Sequence, residues 1–182
     1  MTTRNLSANL LGREVTVEYS GNAIAYAILT LRVAMGWIFI QAGIDMLLDP
    51  EWTAAGYLQF AIHENNPLSS LWANFAGSPA IDFLVMWGLT LTGLGIMLGA
   101  LLRWNAFWAA LLMLFFWASA LQGGLSEFLP LEHGWVIDDH IVYAALVFGL
   151  GAIGAGRILG VDAALEKTSF VRKNTWVKYF LG

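Results

Sequence analysis

Arg32 stands inside an apolar run from Ala23 to Leu48, AIAYAILTLRVAMGWIFIQAGIDMLL, which is long enough to cross a bilayer with some tilt. At about 1.5 Å per residue it falls roughly 13 Å into the run, near mid-bilayer, where a guanidinium is costly unless it faces protein, water or a ligand. Its planar fork of donors suits an anionic or carbonyl-bearing group. Arg32, Gly36, Phe39 and Gly43 recur at helical spacing, so the charge shares a face with two glycines that let a neighbouring helix come close. Gln41 and Asp45 add a polar pair four residues apart. The structural alternative is a guanidinium bonded to backbone carbonyls, or one reaching back to the interface.

A second set of chemical groups is His140 with Asp138, Asp139, His133, Glu132 and His63, imidazoles and carboxylates of the types that bind divalent metals. No HxxxH or HxxE spacing supports an ion here, and no metal site is assigned. The plainer reading has Asp138 or Asp139 capping a helix while the histidines occupy a wet interface.

The elements that must position these groups are membrane spans. The chain has 182 residues, 58% hydrophobic and only 12% charged, too apolar for an ordinary soluble domain. It holds no cysteine, so disulfide and thiolate chemistry are excluded and any redox role needs a bound cofactor or a partner. No basic patch with interleaved aromatics suggests nucleic acid. The first 22 residues lack the pattern of a removable signal peptide, and the alternation from Glu14 to Glu18 suits a short strand or an interfacial segment.

Three further spans are expected, at about Ala80 to Leu102, Ala106 to Leu121 and His140 to Leu159, with Arg103-Trp104-Asn105 as a tight turn. Asn66-Pro67 reads as a helix start, and Leu68, Leu71, Trp72 and Phe75 give that segment one apolar face, as in an interfacial helix. Thr53 to His63 is a second such candidate. Arg4, Arg13, Arg103, Arg157, Lys167, Arg172, Lys173 and Lys178 all fall on one side of a four-span arrangement, which places both termini in the cytoplasm. All three histidines then lie on the outer side. The tail from residue 167, where Phe170, Trp176 and Phe180 interleave with basic residues, is expected to be a basic amphipathic helix on anionic lipid.

Three stretches carry a resemblance: LRVAMGWIFIQAGIDML (Leu31 to Leu47), GLTLTGLGIMLGALLRWNA (Gly88 to Ala106) and GAGRILGVDAALE (Gly154 to Glu166). In their order and span count they resemble the DoxX/DoxD family of small four-helix membrane proteins, over about residues 23 to 166. Arg32 and Gly36 match the family's first-span pattern, and Arg157 and Asp162 its closing motif. Many members carry a glutamate in the second span where this chain has Leu89, with Thr90 and Thr92 beside it. The resemblance implies membership of membrane redox assemblies, such as the membrane subunit of thiosulfate:quinone oxidoreductase.

The expectation is therefore an all-α integral membrane four-helix bundle with interfacial helices: an N-terminal cytoplasmic segment (residues 1–22), a four-span domain (23–166) and a cytoplasmic tail (167–182). Its expected role is the membrane subunit of a quinone-linked redox complex in the cell membrane, with a partner subunit performing the substrate chemistry. Arg32, Gly36, Trp37 and Thr90 are the residues expected to hold the quinone. The outer loops carry acids and no fixed positive charge, so an anionic substrate needs a partner's site. The competing reading is a non-enzymatic scaffold or assembly subunit, and a homo-oligomer is compatible with either.

Overall fold

The computed structural model describes residues 3–122 and 137–182. It opens with an antiparallel hairpin of β1 (Thr3–Leu10) and β2 (Arg13–Ser20), paired from Thr3↔Ser20 to Leu10↔Arg13. The two-residue turn has positive φ at both Leu11 and Gly12, the handedness that matches strand twist. Ser20 ends β2 and its hydroxyl accepts the Ala23 N–H, so the strand runs directly into α1 (Gly21–Leu48).

After α1 come a π-helical turn (Tyr57–Ala61), α2 (Ser69–Phe75), α3 (Pro79–Leu98), α4 (Leu102–Ser119) and α5 (Asp139–Ala152). A 3-10 turn (Ala155–Arg157), α6 (Asp162–Leu165), α7 (Ser169–Lys173) and a last 3-10 turn (Thr175–Tyr179) complete the described chain. α1 packs along α3, α4 along α5, and α3 against α4. Their shared core holds Met35, Phe39, Leu89, Ile96, Leu102, Met113 and Val147. By length and composition α1 and α3 can each cross a membrane.

α1 and α3 meet backbone to backbone. A Cβ added at Gly36 would lie 2.7 Å from Met97 N and 2.8 Å from Gly93 O, and one at Gly93 would lie 2.7 Å from Ile40 N. The glycines on the Arg32 face therefore set the closest approach in the molecule's core, as small residues do between apolar helices.

Boundaries differ from expectation where tertiary contacts end helices early. α3 stops at Leu98 because Gly99, at φ 64, closes it in the left-handed region. Arg103, Trp104 and Asn105 are helical, and the turn lies at residues 99–101 instead. α5 ends at Ala152, seven residues short of Leu159, and Gly154 at φ 70 turns the chain away. The tail does not form one surface helix. Val171 and Leu181 are buried, the Phe180 ring packs edge-on to Trp104 at 5.2 Å, and Trp104 N–H donates to the Phe180 carbonyl. Its basic residues Arg172, Lys173 and Lys178 stay exposed.

At the opposite end Asn66 does more than start a helix. α2 begins at Ser69, and the buried Asn66 amide donates to the carbonyls of Ala118, Ser119 and Leu121 at the end of α4. Its oxygen accepts from Leu68 N and Trp72 Nε1. Asn66→Ala leaves buried carbonyls without donors and is expected to cost about 2–3 kcal/mol. Thermal unfolding in detergent checks this, and an unchanged midpoint would show that Asn66 does not hold α2 to α4.

Candidate functional site

Arg32 is 1% exposed, and its guanidinium is enclosed by its own chain. Nη1 donates to the carbonyls of Ala155 (2.7 Å) and Ile158 (2.8 Å), and Nη2 to that of Leu159 (3.1 Å). These carbonyls belong to the reversal that follows α5, where the 3-10 turn presents the negative end of its peptide dipoles. Nε has no hydrogen-bond partner among the described residues.

The same reversal buries the opposite charge. Asp162 is 0% exposed and accepts from three backbone N–H groups: Leu101 (2.7 Å), Leu102 (2.9 Å) and Gly182 (3.0 Å). Leu101 sits at the start of α4 with φ 47 and no side-chain cap of its own, so Asp162 caps that helix from 60 residues away in sequence. Asp162 is at the same time the first residue of α6. Backbone bonds from Val161 N to Leu98 O and from Asp162 N to Gly99 O fasten the reversal to the α3–α4 turn.

Arg157, the arginine of the same closing motif, pairs with Glu166. Nε and Nη2 both donate to Oε1, at 2.8 and 2.6 Å. Through that hydrogen bond, opposed by partial burial and aided by the charge, the Glu166 carboxyl is held below its usual range and the Arg157 guanidinium above its own.

These contacts also relocate Arg32. It lies level with Gly99, where α3 ends, and with the chain leaving α5, rather than midway along the packed helices. Sequence arithmetic counted from the start of the apolar run and missed that α1 begins well before its neighbours: none of its residues from Gly21 to Leu31 is buried.

The four residues expected to hold a quinone do not converge. Gly36 is pressed against α3. Trp37 is 56% exposed on the other side of α1. Thr90 packs at Gly43, eleven residues or about 16 Å along α1 from Arg32. Its hydroxyl donates to Met86 O, as that of Thr92 does to Gly88 O. The surroundings of Arg32 do not fit a quinone head group. A Cβ added at Gly99 would already lie 2.7 Å from Nη1, and one at Gly160 2.9 Å from it.

At the other end, Asp138 caps α5 through Ile141 N, and its second oxygen binds His140 Nδ1 at 2.9 Å. Asp138, Asp139 and His140 bring their ligand atoms within 4.8 Å of one another. Glu132 and His133 lie outside the described residues. His63 accepts from Asn65 N within its own turn. Asp82, near the start of α3, accepts from Ala54 N. The Asp138 oxygens already serve a cap and an imidazole, which is the arrangement of a helix start.

Sequence reading singled out Arg32 and offered backbone carbonyls as its structural alternative, which the structure bears out, but it did not locate those carbonyls and missed the role of Asp162. A lone acid among glycines and aliphatics, LGVDAAL, was the available signal. Arg32→Lys replaces a planar fork by a point charge. Asp162→Asn weakens the acceptor for three N–H groups. Each is expected to lower stability by about 1–3 kcal/mol. The double variant should lose less than the sum, because the two residues brace one reversal. A double-mutant cycle from unfolding in detergent tests this, strict additivity being the contrary result.

The Arg157–Glu166 pair predicts a pH dependence. A depressed carboxyl stabilises the fold above the unfolded value of about 4.5 and loses that contribution as pH falls through the folded value. The pair is partly exposed, so the effect is modest. Melting curves between pH 7 and 3 should show a smaller acid loss for Glu166→Gln than for the parent. Superimposable pH profiles would show that the pair contributes nothing.

No curated protein and no solved structure matches this chain. A model of the DoxX family matches residues 27–122, over half of the sequence, spanning the Arg32–Gly36 face, α3 and α4. The chain belongs to the DoxX family, whose membership together with the two long apolar helices marks it as a membrane protein.

Proposed function

We propose that this protein is a four-span membrane subunit of a redox assembly, formed by α1, α3, α4 and α5 with both termini on the cytoplasmic side, and that a partner performs the quinone-linked substrate chemistry. One observation carries the subunit reading. The polar side chains inside the bundle close on its own backbone: Arg32 on three carbonyls, Asp162 on three N–H groups, Thr90 and Thr92 on the preceding turn, and Asn66 on the end of α4. Such groups hold helices together, and these side chains are engaged by the fold and not aimed at a substrate.

The redox part is supported by family membership. The orientation is supported by charge: Arg103 and the basic tail gather at the end where the hairpin precedes α1, while Asp49, Glu51, Asp82, Asp138 and Asp139 lie toward the other. The closure of Arg32 on carbonyls favours as second reading a scaffold whose partners carry no redox group.

Gentle extraction from the native membrane, followed by mass spectrometry and assay of quinone reduction, distinguishes these. A redox polypeptide should co-purify. Arg32→Lys should lower the yield of complex while leaving turnover per assembled complex unchanged. Full assembly with quinone-dependent turnover lost would make Arg32 a ligand and overturn the structural role. Recovery with non-redox partners alone would favour the scaffold.

A further inference from the structure

Among the described residues, nothing covers the half of α1 that faces away from Arg32. From Gly21 to Leu31 no residue of the helix is fully buried, and Ile28 packs only partly against the core. Along the rest of α1 the exposed residues sort by chemistry. Ala23, Ala27, Thr30, Ala34, Trp37 and Gln41 succeed one another at alternating steps of four and three, in a row that continues to Leu48, and every member is exposed. Larger aliphatics flank it, Ile24, Leu31 and Ile38 on one side and Val33 on the other. Gln41 is nine residues from Arg32, about two and a half turns, so the row lies diametrically opposite the buried arginine.

We propose that this row is the seam of a homodimer, in which α1 of a second copy packs parallel to it about a two-fold axis along the membrane normal. The seven-residue period is the one that keeps two parallel helices in contact over their full length. The chemistry suits a second copy in particular. About a two-fold axis each seam residue meets itself, so the small half, Ala23 to Ala34, meets small residues and the backbones approach closely.

Gln41 carries both a donor and an acceptor, and its mirror amide supplies the complement. Asp45, one turn further, is a carboxylate that needs donors, and the mate's Gln41 N–H groups are electrostatically complementary to it. Neither side chain has a partner among the described residues, and lipid tails offer none. Thr30, Val33, Ala34 and Trp37, with Leu29, border a shallow open depression on the helix surface, at the i, i+3, i+4, i+7 spacing that accepts a knob from a facing helix. β2 leads straight into the seam, so pairing also brings together two hairpins whose Val15 and Val17 are exposed. A two-stranded ribbon is marginal alone.

The chain contains no cysteine, which makes it suited to site-directed cross-linking. Ala34→Cys and Ala27→Cys are placed on the seam, and Phe83→Cys on the exposed face of α3, 62% exposed, is the control. In lipid vesicles at low protein density, mild oxidation should link the seam variants into dimers at several times the yield of Phe83→Cys. Adding Gln41→Leu to Ala34→Cys should lower that yield several-fold without shifting the melting temperature of the unlinked chain. Equal yields at seam and control sites would overturn the proposal, as would single-step photobleaching of the wild-type chain in vesicles. Linkage in native membranes to a different polypeptide alone would assign the seam to a foreign partner and overturn the homodimer.

Discussion

A guanidinium removed from water with no carboxylate against it must be met by other acceptors, and the fold around Arg32 is organised by that demand. Carbonyls on an intact helix are already bonded to N–H groups four residues on, so three turned toward one guanidinium require a chain that has left the helix. The reversal after α5 provides them, and it can do so because Gly154 and Leu159 adopt positive φ and because Gly160 leaves room beside Nη1. The same reversal carries Asp162, whose charge acts on Arg32 across the knot without touching it. Both charges are buried, and each faces backbone dipoles of the opposite sign, Arg32 through Nη1 and Nη2 and Asp162 through both carboxylate oxygens.

From that knot the positions of four segments follow. α1 is fixed through Arg32, the α3–α4 turn through Asp162 and the ladder to Leu98 and Gly99, α5 through the reversal itself, and the tail through Gly182 and the Phe180–Trp104 contact. Asn66 performs the corresponding task at the far end with a neutral amide, binding α2 to the last carbonyls of α4. Between these two polar clamps the interior is apolar, and α1 and α3 lie close enough that glycine is needed where they cross.

The absence of a second-span glutamate also acquires a physical reading. Leu89 is buried in the apolar core, ten residues before Gly99 and so about 15 Å along α3 from the level of Arg32. A carboxylate there would stand among apolar core side chains, not at the guanidinium. In this chain Arg32 is balanced by Asp162, and leucine at position 89 leaves no charge without a counterpart.

Composition and periodicity made much of this protein legible. The apolar runs, the face shared by Arg32, Gly36, Phe39 and Gly43, the alternation from Glu14 to Glu18 and a cap at Asp138 or Asp139 are local patterns, read from spacing because a helix or strand places its own residues predictably, whereas the pairing of that alternation into a hairpin with β1 was not read. The partners of Arg32, Asp162 and Asn66 were decided by tertiary structure alone. They are backbone carbonyls and N–H groups, which every residue possesses, so nothing in the side-chain pattern marks the ones left free. Arg32 and Leu159 stand 127 residues apart, and Asp162 caps a helix that begins 60 residues earlier. Helix ends at Leu98 and Ala152, and the folding of the tail onto Trp104, follow from the same long-range bonds.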